Sequence, residues 1–383
     1  MDIDLHYFDE IRPYTDDEIS PAMHRIANSP QLDGVLSYLY PGQPVNMMRD
    51  KFRSFTTVRE FQEGFMWHAV SKIVKDTSSG LSDQGFDFVE ADKGYLFISN
   101  HRDIVLDSAL LQLILYLRNL PTTEISFGDN LMSSEFLVDF GKSNKMFKVL
   151  RNANPREFYH NSLLLSKYIR CAITERHSSV WIAQRNGRTK DGFDGTEQGI
   201  LKMFDMSGSG QFVDDFAALS IVPLSVSYEY EPCDVLKTNE LYLSRRQKYV
   251  KMPGEDLNSI LTGIMQFKGG IHFEATPPLT KEEIEAAALS GGDKNDRIKA
   301  IAQRLDDRII SNFKLWKTNY IAYDLLHESH TYAGFYSQTD LAAFQSYMSY
   351  KLSSLDGDKK ELEEIFLSIY ANPVVNKRRF GTA

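Results

Sequence analysis

The pattern of apolar and polar positions divides the chain into three parts. Before about residue 86, apolar residues recur at helical spacing, most clearly over Val58 to Val74. A capping box, Thr15-Asp16-Asp17-Glu18, predicts the start of a helix that runs through Ile19 to Ile26. The pattern is helical again after a second capping box, Thr280-Lys281-Glu282-Glu283, which the amphipathic stretch Ile298 to Phe313 follows. Both ends of the chain are therefore predicted to be helical.

The middle of the chain predicts a sheet. Short apolar runs bounded by turn residues have the length of buried strands and alternate with helical segments. These runs are Phe86–Val89, Tyr95–Ser99, Glu124–Phe127, Val180–Ala183, Ile221–Tyr228 and Gly270–Glu274. Such alternation predicts an α/β fold with a mostly parallel central sheet flanked by helices. We expect an N-terminal helical region at 1–85, an α/β domain at 86–280 and a C-terminal helical region at 281–383.

The last helix of the chain is predicted from residue 356 onward. The polar start at Asp356 and the apolar positions up to Tyr370 indicate a helix, and Pro373 is expected to end it. An earlier helix is expected to begin at Ser337.

Composition and charge remove several classes of function. The chain has 383 residues, of which 42% are hydrophobic and 25% charged, values that are ordinary for a globular protein. Its net charge of −9 argues against a nucleic-acid partner, which prefers a basic surface. The two cysteines, Cys171 and Cys233, have neither metal-ligand spacing nor the pattern of a disulfide framework. We expect no metal site and a reducing compartment.

The chain also lacks the patterns of export and of membrane insertion. It opens on Met1-Asp2-Ile3-Asp4, which is acidic and precedes no apolar core, so we expect no signal peptide. The longest mostly apolar segment, Ser108 to Leu120, is interrupted by Gln112 and Arg118 and is shorter than a membrane span. The expectation is a cytoplasmic protein that reaches lipid only by docking on a membrane surface.

The strongest candidate for chemistry is a histidine at the end of a predicted strand. The run Tyr95 to Ser99 hands over to a helical segment, and Asn100-His101 lies at the junction. Ligands of open α/β sheets bind at the carboxyl ends of the strands. A histidine there, followed by Asp103 and Asp107, can serve as a general base whose tautomer a carboxylate holds. From spacing alone, His101 and Asp107 could equally cap and satisfy the start of the helix.

This stretch resembles the first motif of the glycerolipid acyltransferases, the glycerol-3-phosphate and lysophosphatidate acyltransferase superfamily. That family usually has four residues between histidine and aspartate, whereas five separate His101 from Asp107. If the helix starts one residue late, Asp107 can still reach the histidine. Asp103 is the second choice for the partner carboxylate.

Three further stretches resemble the later motifs of the family, in the same order. Phe127-Gly128-Asp129-Asn130-Leu131 with Met146 to Arg151 looks like the second, and Val180 to Gly192 looks like the third. Ser220 to Tyr230, with Pro223 inside an apolar strand, resembles the fourth. In the third motif, the family's glutamate falls on Asn186 when the alignment is anchored on Gly187 and on Arg185 when it is anchored on Arg188, and neither residue is acidic.

The resemblance implies transfer of a fatty acyl chain from acyl-ACP or acyl-CoA to a hydroxyl, in phospholipid biosynthesis. His101 would take the hydroxyl proton and Asp107 would hold the imidazole, without a covalent acyl-enzyme. Backbone N–H groups at Arg102 and Asp103 are the expected oxyanion donors. Glycerol 3-phosphate or lysophosphatidate is the leading acceptor. An amino-acid lipid or another lyso-lipid, and a catalytically silent lipid- or ACP-binding protein, remain alternatives. No bound cofactor is expected.

A set of polar and basic residues is expected to bind the phosphate or carboxylate of the substrate. Guanidinium groups suit that task because they donate two parallel hydrogen bonds. The predicted substrate-binding residues are Arg102, Lys148, Arg151, Arg185, Asn186, Gly187, Arg188 and Lys190. From sequence alone, Lys148 and Arg151 could instead be ordinary surface residues at a strand edge.

Two other features could contact a membrane or an acyl carrier protein. Phe313, Trp316, Tyr320 and Tyr323 form an aromatic stripe that can be either a membrane-interface belt or a core face. The basic clusters Arg245-Arg246-Gln247-Lys248 and Lys377-Arg378-Arg379 could meet anionic headgroups, or they could be solvated surface. We expect peripheral membrane association and partnership with an acyl carrier protein or a CoA thioester.

Overall fold

A seven-stranded sheet forms the centre of the computed structural model, which describes residues 5–132, 134–150, 154–290 and 292–381. The strands are β1 (Gly80–Gln84), β2 (Leu96–Ser99), β3 (Glu124–Gly128), β4 (Met146–Val149), β5 (Val180–Ala183), β6 (Ile221–Tyr228) and β7 (Gly270–Ala275). Their order across the sheet is β1-β7-β6-β2-β5-β3-β4. All neighbouring pairs are parallel except β6 with β7. The sheet is thus mostly parallel, with β2 at its centre.

Helices cover both faces of the sheet and make up both ends of the described chain. They are α1 (Asp16–Asn28), α2 (Gln31–Leu39), α3 (Val45–Arg53), α4 (Val58–Phe61), α5 (Trp67–Thr77), α6 (Leu106–Leu117), α7 (Glu135–Ser143), α8 (Pro155–Thr174), α9 (Gln198–Asp205), α10 (Phe212–Ala217), α11 (Asp234–Ser244), α12 (Glu255–Met265), α13 (Lys281–Leu289), α14 (Lys294–Ser311), α15 (Lys317–Leu326), α16 (Gln338–Leu352) and α17 (Lys359–Arg379). A π-helical turn, Gln62–Met66, joins α4 to α5.

Strand β2 shows why the sheet needs helices on both faces. Its four residues are all buried, and alternate side chains enter different hydrophobic clusters. Leu96 and Ile98 pack on one face with residues of α8, α9 and α14, whereas Phe97 packs on the other face with α6. A strand that is buried on both sides has a continuous apolar sequence, as the run before His101 has. The predicted α/β fold class is confirmed.

Most predicted strands are present, but the first one is wrong. Phe86–Val89 forms a turn, in which Val89 N–H donates to the carbonyl of Phe86 (3.1 Å), and Phe86 packs in the core. The first strand is instead Gly80–Gln84, which pairs with β7 and has an exposed edge. Its side chains alternate between exposed and half-buried, so it lacks the apolar run that a central strand has. The sheet therefore begins before residue 86, and β4 adds a strand that was not among the predicted runs.

The prediction that Pro373 ends the last helix is also wrong. Helix α17 continues through Pro373 to Arg379. A proline leaves the carbonyl four residues earlier without its helical N–H partner. That carbonyl, of Ile369, lies against the backbone at Gly192, where a β-carbon would be only 2.4 Å from the oxygen. The carbonyl that the proline leaves without a helical partner is therefore in close contact with another segment of the protein.

The aromatic stripe near residue 320 packs inside the protein. Phe313 is buried, and Trp316 lies against Gly270 so closely that a β-carbon there would be 2.4 Å from the indole. Tyr320 stacks on Phe335 with ring centroids 4.5 Å apart. Of the two interpretations, a core face fits these contacts. Within the described parts of the chain, no helix is both long and apolar enough to cross a membrane.

Candidate active site

The site begins where β2 ends, because one asparagine side chain continues the pairing of that strand. Asn100 is buried, and its side-chain amide donates to the carbonyl of Val226 (2.9 Å) in β6. Its side-chain oxygen accepts from the N–H of the same residue (2.8 Å). The neighbouring Ser99 hydroxyl accepts from the indole N–H of Trp181 in β5 (3.0 Å). The segment that leaves β2 is thereby fixed to both adjacent strands.

His101 lies next, and its imidazole contacts Asp107. The distance between His101 Nδ1 and Asp107 Oδ2 is 2.9 Å. The carboxylate is fully buried, whereas 12% of the histidine side chain is exposed. The ring of Trp181 packs edge-on against the imidazole, with centroids 5.9 Å apart. A proton on Nδ1 satisfies the carboxylate and leaves Nε2 as the basic nitrogen, which is the arrangement of a general base held in one tautomer.

The late start of helix α6 explains how five intervening residues still permit this contact. The helix begins at Leu106, and the Asp103 carboxylate caps it by accepting from the N–H groups of Val105 (3.0 Å) and Leu106 (2.8 Å). Asp107 therefore lies in the first turn and faces the preceding loop. The structure thus places Asp107 at the imidazole, and Asp103 serves as the helix cap.

Asp107 is surrounded by donors. Burial raises the pKa of a carboxylate, but the His101 imidazole, the N–H of Asp103 and the Tyr228 hydroxyl outweigh burial and lower the pKa of Asp107. The Tyr228 hydroxyl donates to Asp107 Oδ1 (2.7 Å). The pKa of Asp103 is instead raised, by burial and then by the negative charge of Asp107. The pKa values of these two neighbouring carboxylates are thus shifted in opposite directions. The negative charge is favoured on Asp107, which faces the histidine.

The expected oxyanion donors are not available to a substrate. The N–H groups of Arg102 and Asp103 both donate to Asp107 Oδ2, at 2.6 and 3.0 Å. They stabilise the carboxylate that orients the histidine, so that part of the prediction is wrong. Whatever stabilises a negative oxygen near His101 must come from another group.

Arg102 was predicted to bind substrate, and its environment contradicts this role. Its side chain is 1% exposed and pairs with Asp194 and with Glu231, whose Oε2 is 3.4 Å away. Lys237 donates to the other oxygen of Glu231 (2.7 Å) and to the Arg102 carbonyl (2.8 Å). Two cations and two carboxylates therefore neutralise each other inside the protein. Arg102 holds the loop after His101 in place and does not line the cavity described next.

A cavity of about 880 Å³ opens beside His101. It covers the carboxyl ends of β2, β3, β4 and β5, the edge of the sheet at which α/β proteins bind ligands. Much of its wall is apolar, contributed by strand ends and by α8 and α9. These wall residues are Ile104, Phe127, Leu131, Val149, Leu150, Phe158, Leu165, Trp181, Ile182, Ile200, Met203 and Met206. Its size and composition are those of a small-molecule site with an apolar ligand portion.

The loop after β5 brings polar and basic residues to the same cavity. Arg185, Asn186, Gly187, Arg188 and Lys190, all predicted to bind substrate, line it. The backbone N–H of Thr189 donates to the carbonyl of His101 (2.7 Å), which joins this loop to the histidine segment. Gly187 has φ +75°, a conformation that favours glycine. The loop can turn back toward His101 because of that residue.

The basic residues of the loop differ in how much of their charge is already paired. Lys190 forms an ion pair with Glu240. Among the described residues, Arg185 and Arg188 have no carboxylate within salt-bridge distance, and each has a buried guanidinium nitrogen without a hydrogen-bond partner. Arg188 also hydrogen-bonds the Cys233 side chain, and its charge acts on the Asp103 carboxyl group. Guanidinium nitrogens in a cavity that still lack a partner are suited to bind an anion. Lys148 does not line the cavity, and Arg151 lies outside the described residues.

Several groups that shape the site were not predicted. Tyr228 donates a hydrogen bond to Asp107, and Trp181 packs on the imidazole. Asp194 and Glu231 pair with Arg102, and Lys237 pairs with Glu231. The tyrosine and the tryptophan lie in strands whose apolar runs were predicted, so adjacency in the sheet was the available signal. The three charged residues lie in segments with no recognisable pattern.

Fold and site together define an α/β protein with a histidine–aspartate pair at the mouth of a largely apolar cavity. No protein-family model matches the chain, and no curated protein matches it. Among solved structures, the 1-acyl-sn-glycerophosphate (LPA) acyltransferase of Thermotoga maritima resembles it with a TM-score of 0.37 and 10% sequence identity. That alignment covers 75% of this chain and 92% of the other. A likeness at this TM-score does not establish the function of this chain.

Proposed function

We propose that the protein is an acyltransferase that moves a fatty acyl chain from acyl-ACP or acyl-CoA to a hydroxyl of glycerol 3-phosphate or lysophosphatidate. The observation that carries this proposal is the His101–Asp107 pair, 2.9 Å apart, in a cavity with an apolar wall and with arginines that have no salt-bridge partner among the described residues. A base activates a hydroxyl, an apolar wall suits an acyl chain, and a guanidinium suits a phosphate.

The reaction follows from the tautomer that Asp107 imposes. Nε2 of His101 takes the proton of the acceptor hydroxyl while the hydroxyl oxygen attacks the thioester carbonyl. Asp107 stays ionised and stabilises the imidazolium, since its pKa is lowered in the folded protein. The tetrahedral intermediate then expels the thiol, which receives the proton from Nε2. Acylated product and free thiol result, and the enzyme returns to its starting protonation.

The negative oxygen of the intermediate requires a partner other than the N–H groups of Arg102 and Asp103. We assign this role to the cationic side chains of the cavity, with Arg188 as the first candidate. Its neighbour Thr189 is hydrogen-bonded to the His101 carbonyl, so this part of the loop is fixed beside the base. A preorganised cation in a site that excludes water stabilises developing charge more than it would in water.

One observation favours a second candidate function, a catalytically silent lipid- or ACP-binding protein. Asp107 already occupies both N–H groups at which an oxyanion was expected. A protein that only binds an acyl chain needs the apolar cavity and the arginines but no oxyanion donor. In that case His101 and Asp107 would serve to hold the loop.

The test is acyl transfer by purified protein from labelled acyl-ACP and acyl-CoA. The acceptor panel contains glycerol 3-phosphate, lysophosphatidate, other lyso-lipids and an amino-acid lipid. We expect His101→Ala to lower kcat by at least about 10²-fold, because general-base catalysis supplies that much. Asp107→Asn should lower it by at least about tenfold, since the amide can keep hydrogen bonds but cannot stabilise the imidazolium.

His24→Ala is the matched control, because His24 is an exposed histidine on α1 outside the cavity. It should retain wild-type activity. Undiminished transfer by His101→Ala would exclude the mechanism. Absence of transfer by wild-type protein to every acceptor, together with binding of the acyl donor, would establish the binding protein instead.

A further inference from the structure

Helix α12 has three large apolar side chains on the outside, although Ile264 packs against the core. Leu257, Leu261 and Met265 follow one another at helical spacing, and 56%, 49% and 63% of their surfaces are exposed. The residues that the helix buries are small, Ser259 and Gly263. A helix on a protein surface normally shows the reverse distribution.

The inner face of α12 explains why the helix cannot simply rotate. The backbone at Gly263 lies so close to Asp103 that a β-carbon there would be 2.0 Å from Asp103 Oδ2. The Ser259 carbonyl accepts from the thiol of Cys233 (3.2 Å). These close contacts require small residues on the inner face, so the apolar side chains remain on the outer one.

The exposed apolar surface continues on either side of the helix. Val250 and Met252 precede it with 72% and 71% of their surfaces exposed, and Phe267 follows it. We call Val250, Met252, Leu257, Leu261, Met265 and Phe267 the outer patch. Exposed apolar residues in such a concentration mark an interaction surface more often than ordinary solvent-facing surface.

Basic residues border the outer patch. Residues 245–251 read Arg-Arg-Gln-Lys-Tyr-Val-Lys and contain no acid, in a chain whose net charge is −9. Arg245 and Arg246 pair with Glu361, and Lys251 pairs with Asp256 (2.6 Å). Lys248 is exposed and has no salt-bridge partner among the described residues. Positive charge next to exposed apolar side chains favours the surface of an anionic bilayer.

The outer patch also adjoins the entrance of the cavity. Lys251 and Asp256, at the start of α12, both line that cavity, and Asn130 in the loop after β3 donates to Asp256 (3.2 Å). On α8, Phe158 lines the cavity with much of its ring exposed, and Tyr159 next to it is exposed as well. The start of α12 and the exposed ring of Phe158 on α8 therefore both lie at the cavity.

We propose that the outer patch docks the protein on an anionic phospholipid bilayer, with the cavity mouth facing the lipid. This inference rests on the proposed function, because an acyl-chain substrate or product must pass between cavity and lipid. Apolar side chains of the patch enter the headgroup region, and Lys248, which has no salt-bridge partner among the described residues, contacts the anionic headgroups. An amphiphile could then move between bilayer and cavity without exposing its chain to water.

The experiment is flotation of full-length protein with vesicles of phosphatidylcholine, with and without phosphatidylglycerol. The docking variant is Leu257→Gln with Leu261→Gln and Met265→Gln. The matched control is Leu117→Gln with Leu289→Gln and Tyr350→Gln, which changes three exposed apolar helix residues elsewhere. We expect wild type and control to bind the phosphatidylglycerol vesicles, and the docking variant to bind at least about tenfold more weakly. Lys248→Glu should weaken binding to these vesicles and leave binding to phosphatidylcholine unchanged.

The His101→Ala variant separates this proposal from the proposed function. It should bind vesicles as wild type does, whether or not the wild-type protein transfers an acyl chain. Equal vesicle binding by the docking variant and wild type would overturn the docking proposal, as would wild-type protein that ignores the vesicles. So would a wild-type dimer in light scattering that the docking variant converts to monomer, since the outer patch would then bind a second copy.

Discussion

Two arginines near His101 differ in whether carboxylates have already neutralised them. Arg102 is fully buried between Asp194 and Glu231, and these two carboxylates neutralise its charge. Arg188 lines the cavity and has no carboxylate within salt-bridge distance among the described residues. One of its buried nitrogens lacks a hydrogen-bond partner, although the side chain hydrogen-bonds that of Cys233. Removal of one partner from a buried ion pair is strongly destabilising, whereas removal of an unpaired cation affects chiefly its ligand. Only Arg188 is therefore suited to bind a substrate anion.

Replacement of Arg188 by methionine should impair use of an anionic acceptor. A hydrogen bond to a charged group is worth about 1.5–3 kcal/mol, so we expect kcat/KM for glycerol 3-phosphate to fall at least about tenfold. Lys148→Met is the matched control, because Lys148 was predicted to bind substrate but does not line the cavity. Steady-state kinetics of both variants give the answer. An equal loss in the two variants would remove Arg188 from substrate binding.

The sequence was sufficient to locate those site residues whose position is determined by a single strand and the loop that follows it. His101, Asp107 and the polar loop from Arg185 to Lys190 follow β2 and β5, and sheet order brings those two ends together. Arg102 could not be assigned in this way. Its ion-pair partners lie 92 and 129 residues further along the chain, in segments without a pattern. Whether a polar side chain faces a cavity or the interior depends on such distant contacts.

Among the elements, α6 and α12 meet at the helix cap beside the histidine. Asp103 caps α6 with one carboxylate oxygen, and its other oxygen lies against Gly263 of α12. Because that oxygen is buried without a hydrogen-bond partner in the described structure, close packing defines its position. The contact therefore couples the placement of α12 to the loop that carries His101.

A β-carbon at residue 263 should disturb that loop. Gly263→Ala places the methyl carbon 2.0 Å from Asp103 Oδ2 unless the elements move apart, so we expect a loss of about 1–3 kcal/mol of unfolding free energy. Gly34→Ala is the control, since α2 leaves the corresponding position open, and it should stabilise by about 0.5–1 kcal/mol. Urea denaturation measures both. Wild-type stability of Gly263→Ala would show that the contact imposes no constraint.

The elements that the sequence failed to predict share a physical cause. Strand β1 lies at an edge, where half of its side chains face solvent, so no apolar run marks it. Helix α17 continues through Pro373, and the Ile369 carbonyl that the proline leaves without a helical partner packs closely against Gly192. In both cases the element is in contact with a neighbouring segment that the local sequence does not reveal. The central strands were predictable because burial on both faces makes them apolar throughout.

Across the whole molecule, the C-terminal helices hold the cavity loop from outside. Asp306 of α14 accepts from the N–H (2.8 Å) and the hydroxyl (2.7 Å) of Thr196. Asn372 and Asn376 of α17 donate to the carbonyls of Asp191 (2.6 Å) and Asp194 (3.2 Å). The division at residue 280 that the sequence suggested stays a prediction, but the loop at the site depends on residues beyond it.

The stability of the protein should depend on pH through Asp306. Burial raises its pKa to about 6, so between its ordinary pKa of 3.8 and about 6 the folded state keeps a proton that the unfolded state loses. That contribution to stability is complete below the ordinary value and is lost as pH rises to about 6. Asp306→Asn removes the titration, so its unfolding free energy relative to wild type should increase from pH 4 to pH 7. Urea denaturation across that range tests the sign, and a constant difference would contradict the shift.

The position of β2 affects how the protein folds during its synthesis. Its two neighbours in the sheet are β5 and β6, and the asparagine after it pairs with residue 226. The segment with His101 leaves the ribosome more than a hundred residues before that partner strand, and the α17 contacts can form only after residue 372 has been made. Sheets built from such distant strands fold slowly, and strand edges that are not yet paired are prone to aggregate. We therefore expect the nascent chain to need chaperones until helix α17 has emerged.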